Sequence, residues 1–314
     1  MKKLLTVGEI LVEIMATEQG FGFREPITLV GPFASGAPAI FIDQVARFGQ
    51  PCAIISAVGK DDFGTLCLDR LRGDGVDVSA VSQDPERPTG SAFVRYRPDG
   101  QRDFVFNIRH SANASIAATE ETERLIAGCD HLHVMGTALF SQAVIDLVLD
   151  AARRIRARGG TISFDPNIRS ELLHLSGLRE ALETVFAMAD LFMPSGNELF
   201  LFTKAQTEEA AIREILDGGT KAVVIKRGLE GASWFSRDGH VSVPAYRVEE
   251  IDPTGAGDCF GATFVCCWLR GMAPAEALAL ANASGALAVR KRGPMEGAAT
   301  ADEIARLVRS ASRL

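Results

Sequence analysis

Short apolar runs alternate with amphipathic segments along most of this chain, and this alternation restricts the possible folds more than any other feature. The apolar runs occupy residues 4–7, 53–58, 131–135, 161–164, 191–193 and 222–226. Amphipathic stretches lie between them at residues 39–48, 142–158 and 178–189. Strands that alternate with helices are typical of a mainly parallel sheet with helices on both faces. The sequence therefore predicts an α/β fold whose ligands bind beyond the carboxyl ends of the strands.

Two regions interrupt this alternation, at about residues 13–31 and about residues 90–110. The second contains two segments of alternating polarity around a Pro-Asp-Gly turn, which predicts a β-hairpin. With 314 residues, 47% of them hydrophobic, the chain can build one large α/β domain or two smaller ones.

Charge and cysteine usage exclude several classes of protein. The formal net charge is −7, and the longest basic run is residues 290–292, so neither a nucleic acid nor a membrane surface is expected as a partner. Glu9 and Glu13 interrupt the N-terminal apolar run too early for a signal peptide, and no run reaches the ~18 apolar residues of a membrane span. The six cysteines lack metal-binding or disulfide spacing, which predicts reduced thiols and a cytoplasmic protein.

Residues 252–260 read Asp-Pro-Thr-Gly-Ala-Gly-Asp-Cys-Phe and precede residues 260–269, which are apolar on every face and predict a buried helix. The small residues Gly255, Ala256 and Gly257 let backbone N–H groups approach a phosphate at the positive end of that helix. Asp258 would then meet a substrate hydroxyl beside the phosphate. Taken alone, the segment is also typical of an ordinary helix start with Asp258 as a capping carboxylate.

This Asp-x-Thr-Gly-Ala-Gly-Asp-x-Phe segment resembles the C-terminal signature of the ribokinase-like, or PfkB-type, carbohydrate kinases. Thr263, where that family carries Gly or Ala, is a nearby departure. The resemblance extends over residues 8–293. It implies a three-layer α/β/α fold in one domain over residues 1–314, with a small β-sheet lid built from about residues 13–31 and 90–110. The chain has no Gly-x-x-x-x-Gly-Lys-[Ser/Thr] loop, which disfavours a P-loop kinase.

The resemblance also implies a mechanism that requires ATP and Mg²⁺. Asp258 takes the proton from a primary sugar hydroxyl, while the amides of Gly255, Ala256 and Gly257 stabilise the phosphoryl oxygens. Residues 165–169, Asp-Pro-Asn-Ile-Arg, match the family's Asp-x-Asn-x-Arg segment. Asp165 and Asn167 would face the sugar and phosphates, and Arg169 would stabilise the transferring phosphoryl group. Standing alone, the same segment is typical of an Asx turn.

On the sugar side, Glu13 is expected at the end of the first strand, where it matches by position an acidic residue that grips sugar hydroxyls in the resembled family. A solvated strand-edge Glu has the same pattern. A carboxylate accepts two hydroxyl hydrogen bonds, which suits a vicinal diol. Asn107 and Arg109 end the predicted lid hairpin, where the family often places an Asn or Arg that faces the sugar. Arg109 and three further lid arginines, Arg95, Arg97 and Arg102, could alternatively bind a carboxylate.

Residues 35–40, Ser-Gly-Ala-Pro-Ala-Ile, resemble the family's Gly-Gly-x-x-x-Asn sugar-binding turn. Gly36 keeps the second glycine, but Ser35 replaces the first and Ile40 replaces the Asn. Because Ile40 removes one sugar hydrogen bond, Asp43 or Gln44 one turn later is expected to substitute, unless the sugar is held differently.

On the nucleotide side, Ser195 replaces the Asn of the family's Asn-x-x-Glu segment, and its acidic residue, Glu198, would organise water around Mg²⁺. Lys226 matches a family lysine that neutralises phosphate charge, and Gly228 and Gly231 match two glycines near the ribose and phosphates. Asn282 matches an asparagine near adenine. Asp252 and Thr254 match two residues beside a K⁺ site. By itself, the Gly-x-x-Gly segment is also typical of a plain hairpin turn.

These residues predict an ATP-dependent kinase of a ketohexose such as fructose or tagatose, acting as a homodimer through its lid. A 2-keto-3-deoxygluconate kinase is the alternative within the same branch. A nucleoside kinase of the same fold would need aromatic residues to stack on a base, and the chain has only two Tyr and two Trp. A sugar-binding regulator without catalysis would not need Asp258, Asp165 and Glu198.

Overall fold

The computed structural model describes residues 1–99, 101–168 and 177–310. Two β-sheets account for every strand in these ranges, a nine-stranded sheet and a four-stranded sheet. In chain order the strands are β1 Leu4–Val7, β2 Leu11–Ala16, β3 Leu29–Ser35, β4 Cys52–Gly59, β5 Asp77–Asp84, β6 Gly90–Tyr96, β7 Arg102–Asn107, β8 His131–Met135, β9 Thr161–Asp165, β10 Leu191–Phe192, β11 Ala222–Lys226, β12 Ala232–Ser236 and β13 Gly239–Val243.

The large sheet has the order β13-β12-β11-β10-β9-β8-β1-β4-β5. Its strands are parallel from β11 to β5, while β12 and β13 form an antiparallel hairpin at one edge. The predicted α/β fold with a mainly parallel sheet is therefore confirmed. Strands such as β4 are buried along their whole length, as expected for strands covered on both faces.

Helices cover both faces of the large sheet, which confirms the three-layer α/β/α architecture. The helices are α1 Ala37–Arg47, α2 Asp62–Asp74, α3 Glu120–Gly128, α4 Gln142–Ala157, α5 Leu178–Met188, α6 Glu208–Asp217, α7 Ala256–Leu269, α8 Pro274–Ala288 and α9 Ala301–Ser310. One core contains residues of α1, α2, α7, α8 and α9, and a second core contains residues of α3 to α6. Within the described ranges, no helix combines the length and apolar character needed to cross a membrane.

The small sheet has the order β3-β2-β6-β7 and stands apart from the large one. Its strands β6 and β7 form the antiparallel hairpin predicted around the Pro-Asp-Gly turn, with Ser91 opposite Asn107 and Tyr96 opposite Arg102. Glu13 was expected at the end of the first strand, and this placement is wrong. It lies within β2, because the chain leaves the large sheet after Val7 and enters the small sheet at Leu11.

Candidate active site

A cavity of about 800 Å³ lies between the carboxyl ends of the parallel strands and the small sheet. This is the position expected for ligands of an open α/β sheet. The structure brings eleven of the predicted site residues to its wall: Glu13, Gly36, Asn107, Arg109, Asn167, Ser195, Lys226, Thr254, Gly255, Gly257 and Asp258.

The turn before α7 forms one end of this cavity. The helix begins at Ala256, earlier than predicted, so Asp258 lies within its first turn. Gly255 has φ 81°, and a Cβ added there would come within 2.3 Å of the Pro294 carbonyl oxygen, so no other residue fits. The first N–H groups of a helix have no partner within it, which leaves the amides of this turn available to an anion. The long helix behind them is almost wholly buried and holds the turn in place.

Asp258 is hydrogen-bonded to Asn167 at the cavity wall. The Asn167 side-chain amide donates to Asp258 Oδ1 at 3.4 Å. Asn167 adopts a left-handed backbone conformation with φ 37°, which Asn tolerates better than most residues. Asp258 is therefore held at the cavity wall by Asn167, and the role of Asn167 towards the sugar and phosphates stays a prediction. Arg169, predicted to stabilise the transferring phosphoryl group, lies outside the described residues.

A buried ion pair lies on the large-sheet side of the cavity, with Lys226 in the cavity wall and Asp165 behind it. Lys226 ends β11 and donates to Asp165 Oδ2 at the end of β9. Burial opposes the charge on Lys226, but the carboxylates of Asp165 and Glu198 outweigh it and raise the pKa of Lys226 above its usual value. The ammonium therefore stays charged at neutral pH. It lies where it can neutralise the negative charge of a bound phosphate.

Glu198 is the second carboxylate at this end of the site. It accepts hydrogen bonds from the backbone amides of Ser195 at 2.7 Å and Ile168 at 2.9 Å. Burial, and then the neighbouring Asp165 carboxylate, raise the pKa of Glu198. These two hydrogen bonds join the segment after β9 to the turn after β10. The predicted capture of a hydrated cation would use the same carboxylate oxygens.

The sugar side of the cavity is lined by residues from β2 and from the turn before α1. Ser35, which stands where the resembled motif has Gly, donates through Oγ to Glu13 Oε2 at 3.0 Å. Gly36 has φ 108°, and a Cβ there would lie 2.5 Å from the Glu9 carbonyl oxygen. Ile40 also lines the cavity and leaves an apolar patch beside the turn at Gly255.

Asp43 and Gln44 do not substitute for the missing Asn, and this part of the prediction is wrong. Asp43 is fully buried and pairs with Arg70 at 3.1 Å. The Gln44 side-chain amide donates to the Ala299 carbonyl oxygen and accepts from the Ala299 backbone amide, each at 2.8 Å. Both lie two turns into α1, about 9 Å along the axis from its start, and neither lines the cavity.

The four lid arginines separate into two pairs. Arg95 is buried and bonds Gly22 and Glu25, and Arg97 pairs with Asp103, so neither faces the cavity. Arg102 and Arg109 line the cavity, and within the described residues neither has an ion-pair partner.

Three of the residues assigned to the nucleotide, Gly228, Gly231 and Asn282, lie outside this cavity, whereas Ser195 and Lys226 line it. Gly231 has φ 96°, and a Cβ there would collide with the Val243 carbonyl oxygen at 2.1 Å, so this glycine is required by packing. Gly228 begins the short 3₁₀ turn after β11. Asn282 donates to the carbonyl oxygens of Val243 at 2.9 Å and Pro244 at 3.2 Å, and thereby ties α8 to the end of β13.

The sequence did not point to Glu9 in the cavity wall, nor to Tyr96, which lies outside the wall and contacts Asp252. Glu9 lines the cavity and is buried, and its signal was a carboxylate directly after β1 and Gly8. Tyr96 carried no local signal. Its hydroxyl donates to Asp252 Oδ1 at 2.6 Å, a contact between residues 156 positions apart.

The comparisons agree with this geometry. The family model that describes pfkB family carbohydrate kinases matches residues 1–301. The chain belongs to this family. Its pfkB relatives include fructokinase-1 from Zea mays, 29% identical with 98% of each chain covered, and the 2-dehydro-3-deoxygluconokinase from Thermoproteus tenax, 32% identical with 99% of this chain and 95% of the other covered.

Solved structures of pfkB kinases have the same fold. A candidate ribokinase II from E. coli in complex with ATP and Mg²⁺ is 47% identical, with a TM-score of 0.92 over 98% of this chain and 99% of the other. A fructokinase double mutant from Vibrio cholerae, bound to fructose, ADP and a potassium ion, is 25% identical, with a TM-score of 0.82 over 98% of each chain. The resemblance to the carbohydrate kinases inferred from the motifs is thus confirmed, and the protein is an enzyme of that class.

Proposed function

We propose that this enzyme transfers the γ-phosphoryl group of ATP to a primary hydroxyl of a ketohexose, with Asp258 as the general base. The observation that carries the proposal is the position of Asp258, in the first turn of α7 and at the wall of the cavity that the small sheet faces. A base must lie within hydrogen-bond reach of the proton that it abstracts. At this position Asp258 can meet a sugar hydroxyl and a phosphate together.

In this mechanism each part of the cavity has one task. Glu13 and Asn107 hold sugar hydroxyls, and Asp258 removes the proton as the hydroxyl oxygen attacks the γ-phosphorus. The amides of residues 255–257 stabilise the phosphoryl oxygens, and Lys226 neutralises phosphate charge. Phosphoryl transfer depends mainly on such positioning and charge stabilisation.

Carboxylates at the end of β9 and in the turn after β10 suit a magnesium ion. Mg²⁺ prefers oxygen ligands and keeps several of its waters, which Glu198 and Asp165 could hold by hydrogen bonds. Bound there with ATP, Mg²⁺ would neutralise charge between the phosphates. The E. coli relative that binds ATP and Mg²⁺ supports this assignment. In the proposal, Ser195, Gly228, Gly231 and Asn282 line the path of the nucleotide.

Potassium is a further proposed ligand, beside Asp252 and Thr254. The Vibrio cholerae fructokinase with a bound potassium ion supports this assignment. We expect K⁺ to raise activity over Na⁺ or choline at fixed ionic strength. Equal rates with all three cations would remove the site from the proposal.

The choice of sugar has two candidates. A neutral ketohexose suits the Glu13 carboxylate and the Asn107 amide. A keto acid such as 2-keto-3-deoxygluconate is favoured by Arg102 and Arg109, two cavity guanidinium groups without ion pairs in the described part of the chain. Steady-state kinetics with fructose, tagatose and 2-keto-3-deoxygluconate decides between them. A ~100-fold advantage in kcat/KM for the keto acid, about 2.7 kcal/mol, would reject the ketohexose.

The proposal extends to the whole chain. Residues 1–314 form one kinase domain in which the small sheet acts as a lid over the sugar, and two lids pair across a two-fold axis. Phe21, Leu29 and Val105, exposed side chains in or beside the small sheet, supply apolar surface for this contact. Sedimentation that shows only monomer at micromolar concentration would refute the dimer. The six buried free thiols suit an enzyme of the cytoplasm.

A further inference from the structure

Tyr96 joins the small sheet to the turn before α7. It is the last residue of β6, and its hydroxyl donates to Asp252 Oδ1 at 2.6 Å. The same hydroxyl lies 3.1 Å from Thr254 Oγ1. This side chain therefore crosses from the sheet on one side of the cavity to the segment that begins the catalytic motif.

Asp252 is the centre of the contact. Its side chain accepts from the Thr254 amide at 3.0 Å through Oδ1 and from the Gly293 amide at 2.8 Å through Oδ2. Asp252 is 1% exposed, so its carboxylate depends on protein donors for stabilisation. With Tyr96, these bonds tie three separate segments of the chain to one carboxylate.

The segment that contains Gly293 and Pro294 contacts the turn before α7. The Pro294 carbonyl, next to Gly293, packs so closely on Gly255 that an added Cβ would lie 2.3 Å from it. A shift of the Asp252 carboxylate would therefore move Thr254 directly, and Gly255 through Gly293 and Pro294. The amides of residues 255–257 and Asp258 belong to the same turn, so they would move with Gly255.

We propose that Tyr96 is a positioning residue for phosphoryl transfer, which acts through Asp252 to hold the amides of residues 255–257 and Asp258 in register with the small sheet. The inference rests on the proposed kinase reaction. It goes beyond that reaction because Tyr96 does not line the cavity and needs no contact with either substrate.

The chemistry of the phenol fits this task. The phenol hydroxyl donates to the buried Asp252 carboxylate at 2.6 Å. A hydrogen bond to a charged group contributes more than one between neutral groups, so its loss is expected to have a measurable effect on the turn.

The test is Tyr96→Phe, which removes the hydroxyl and keeps the ring. We expect kcat to fall about 10-fold, as for loss of one hydrogen bond to a carboxylate. The KM for the sugar and the Kd for an ATP analogue should each change less than about threefold. Arg97→Gln is the matched control, because it breaks the Arg97–Asp103 pair of the same hairpin without touching Asp252. This control should keep wild-type kcat.

A double-mutant cycle with Asp252→Asn separates positioning from support of the hairpin. If Tyr96 acts through Asp252, its loss should change kcat less than twofold in the Asp252→Asn background, because coupled residues are not additive. The same 10-fold fall in both backgrounds, or an equal fall in Arg97→Gln, would overturn the proposal. So would wild-type kcat in Tyr96→Phe.

Hydrogen exchange distinguishes failure of this inference from failure of the proposed function. In Tyr96→Phe the amides of Thr254 and Gly293, which donate to Asp252, should exchange faster, while amides of α4 keep the wild-type rate. This holds whatever the substrate. Unchanged exchange rejects the positioning role, whereas faster exchange in a protein that phosphorylates no sugar rejects only the kinase reaction and leaves the contact established.

Discussion

The two walls of the cavity are built in different ways. The large-sheet wall carries Asp258, Lys226 and Asp165 on buried strand ends and a buried helix, and backbone amides hold Glu198 in the same wall. The facing wall is the outer hairpin of the small sheet, whose strand β7 contains only exposed and half-buried residues. In the proposed mechanism, the groups that act on the phosphoryl group lie in the first wall. Arg102 and Asn107, which are proposed to contact the sugar, lie in the second.

The largest effect that this contrast predicts is that of Asp258→Asn. The change keeps size and hydrogen-bonding capacity but removes the base, and general-base catalysis contributes ~10²–10⁴ in rate. We expect kcat to fall by at least about 100-fold. The Kd of the nucleotide should change only a few-fold, because the turn amides and Lys226 remain. Steady-state kinetics and equilibrium nucleotide binding measure both quantities.

The matched control is Asp302→Asn, the same change in the first turn of α9, outside the cavity. It should leave kcat unchanged. If Asp258 were only a helix cap, Asn would cap equally well and activity would survive. A variant with more than a tenth of wild-type kcat would contradict the role of Asp258 as base.

Lys226→Met gives the second largest effect, and it appears in stability as well as in rate. The change leaves the Asp165 carboxylate, which is 1% exposed, without its ammonium partner. Removing one partner of a buried ion pair lowers the free energy of unfolding by about 3–5 kcal/mol. Urea unfolding should show a loss of this size. The double variant Lys226→Met with Asp165→Asn should recover part of it, and no recovery would mean that the ion pair is not the cause.

The same contrast explains how much of the molecule could be predicted. Strands β1, β8 and β11 agree with the predicted bounds because each is a short, mainly apolar run. The small-residue segment 255–257 before Asp258 was recognised because its chemistry is local. Asp43 was misplaced because its direction depends on Arg70, 27 residues away. The role of Tyr96 could not be predicted, since a contact across 156 positions leaves no local pattern.

The hairpin wall predicts a smaller and selective effect. Arg102→Gln and Arg109→Gln each remove one cavity guanidinium and keep a polar side chain. We expect at least one of them to raise the KM for 2-keto-3-deoxygluconate about 10-fold, close to the 1.4 kcal/mol of one lost ionic hydrogen bond. The KM for fructose should change less than about threefold. Equal effects on both sugars would show that these arginines do not distinguish a carboxylate from a hydroxyl.

The effect with the least influence on catalysis lies behind the large-sheet wall and concerns stability alone. Burial raises the pKa of Asp43 to about 8, against the opposing effect of Arg70. The folded protein therefore holds a proton that the unfolded chain releases above its ordinary pKa near 4. The stabilisation is fully present below about pH 4, weakens as the pH rises, and is lost as the pH passes through about 8.

Asp43→Asn removes this titration and keeps an oxygen that can accept from Arg70. Between pH 5 and 8 one proton changes the free energy of unfolding by at most about 1.4 kcal/mol per pH unit. We expect urea unfolding at pH 5, 6, 7 and 8 to show a flatter dependence for Asp43→Asn than for wild type or Asp302→Asn. Its kcat at pH 7 should stay within about twofold, since the side chain does not line the cavity. Parallel stability curves for all three proteins would mean that Asp43 is already ionised in the fold, because an ionised Arg70–Asp43 pair would release no proton on unfolding in this range.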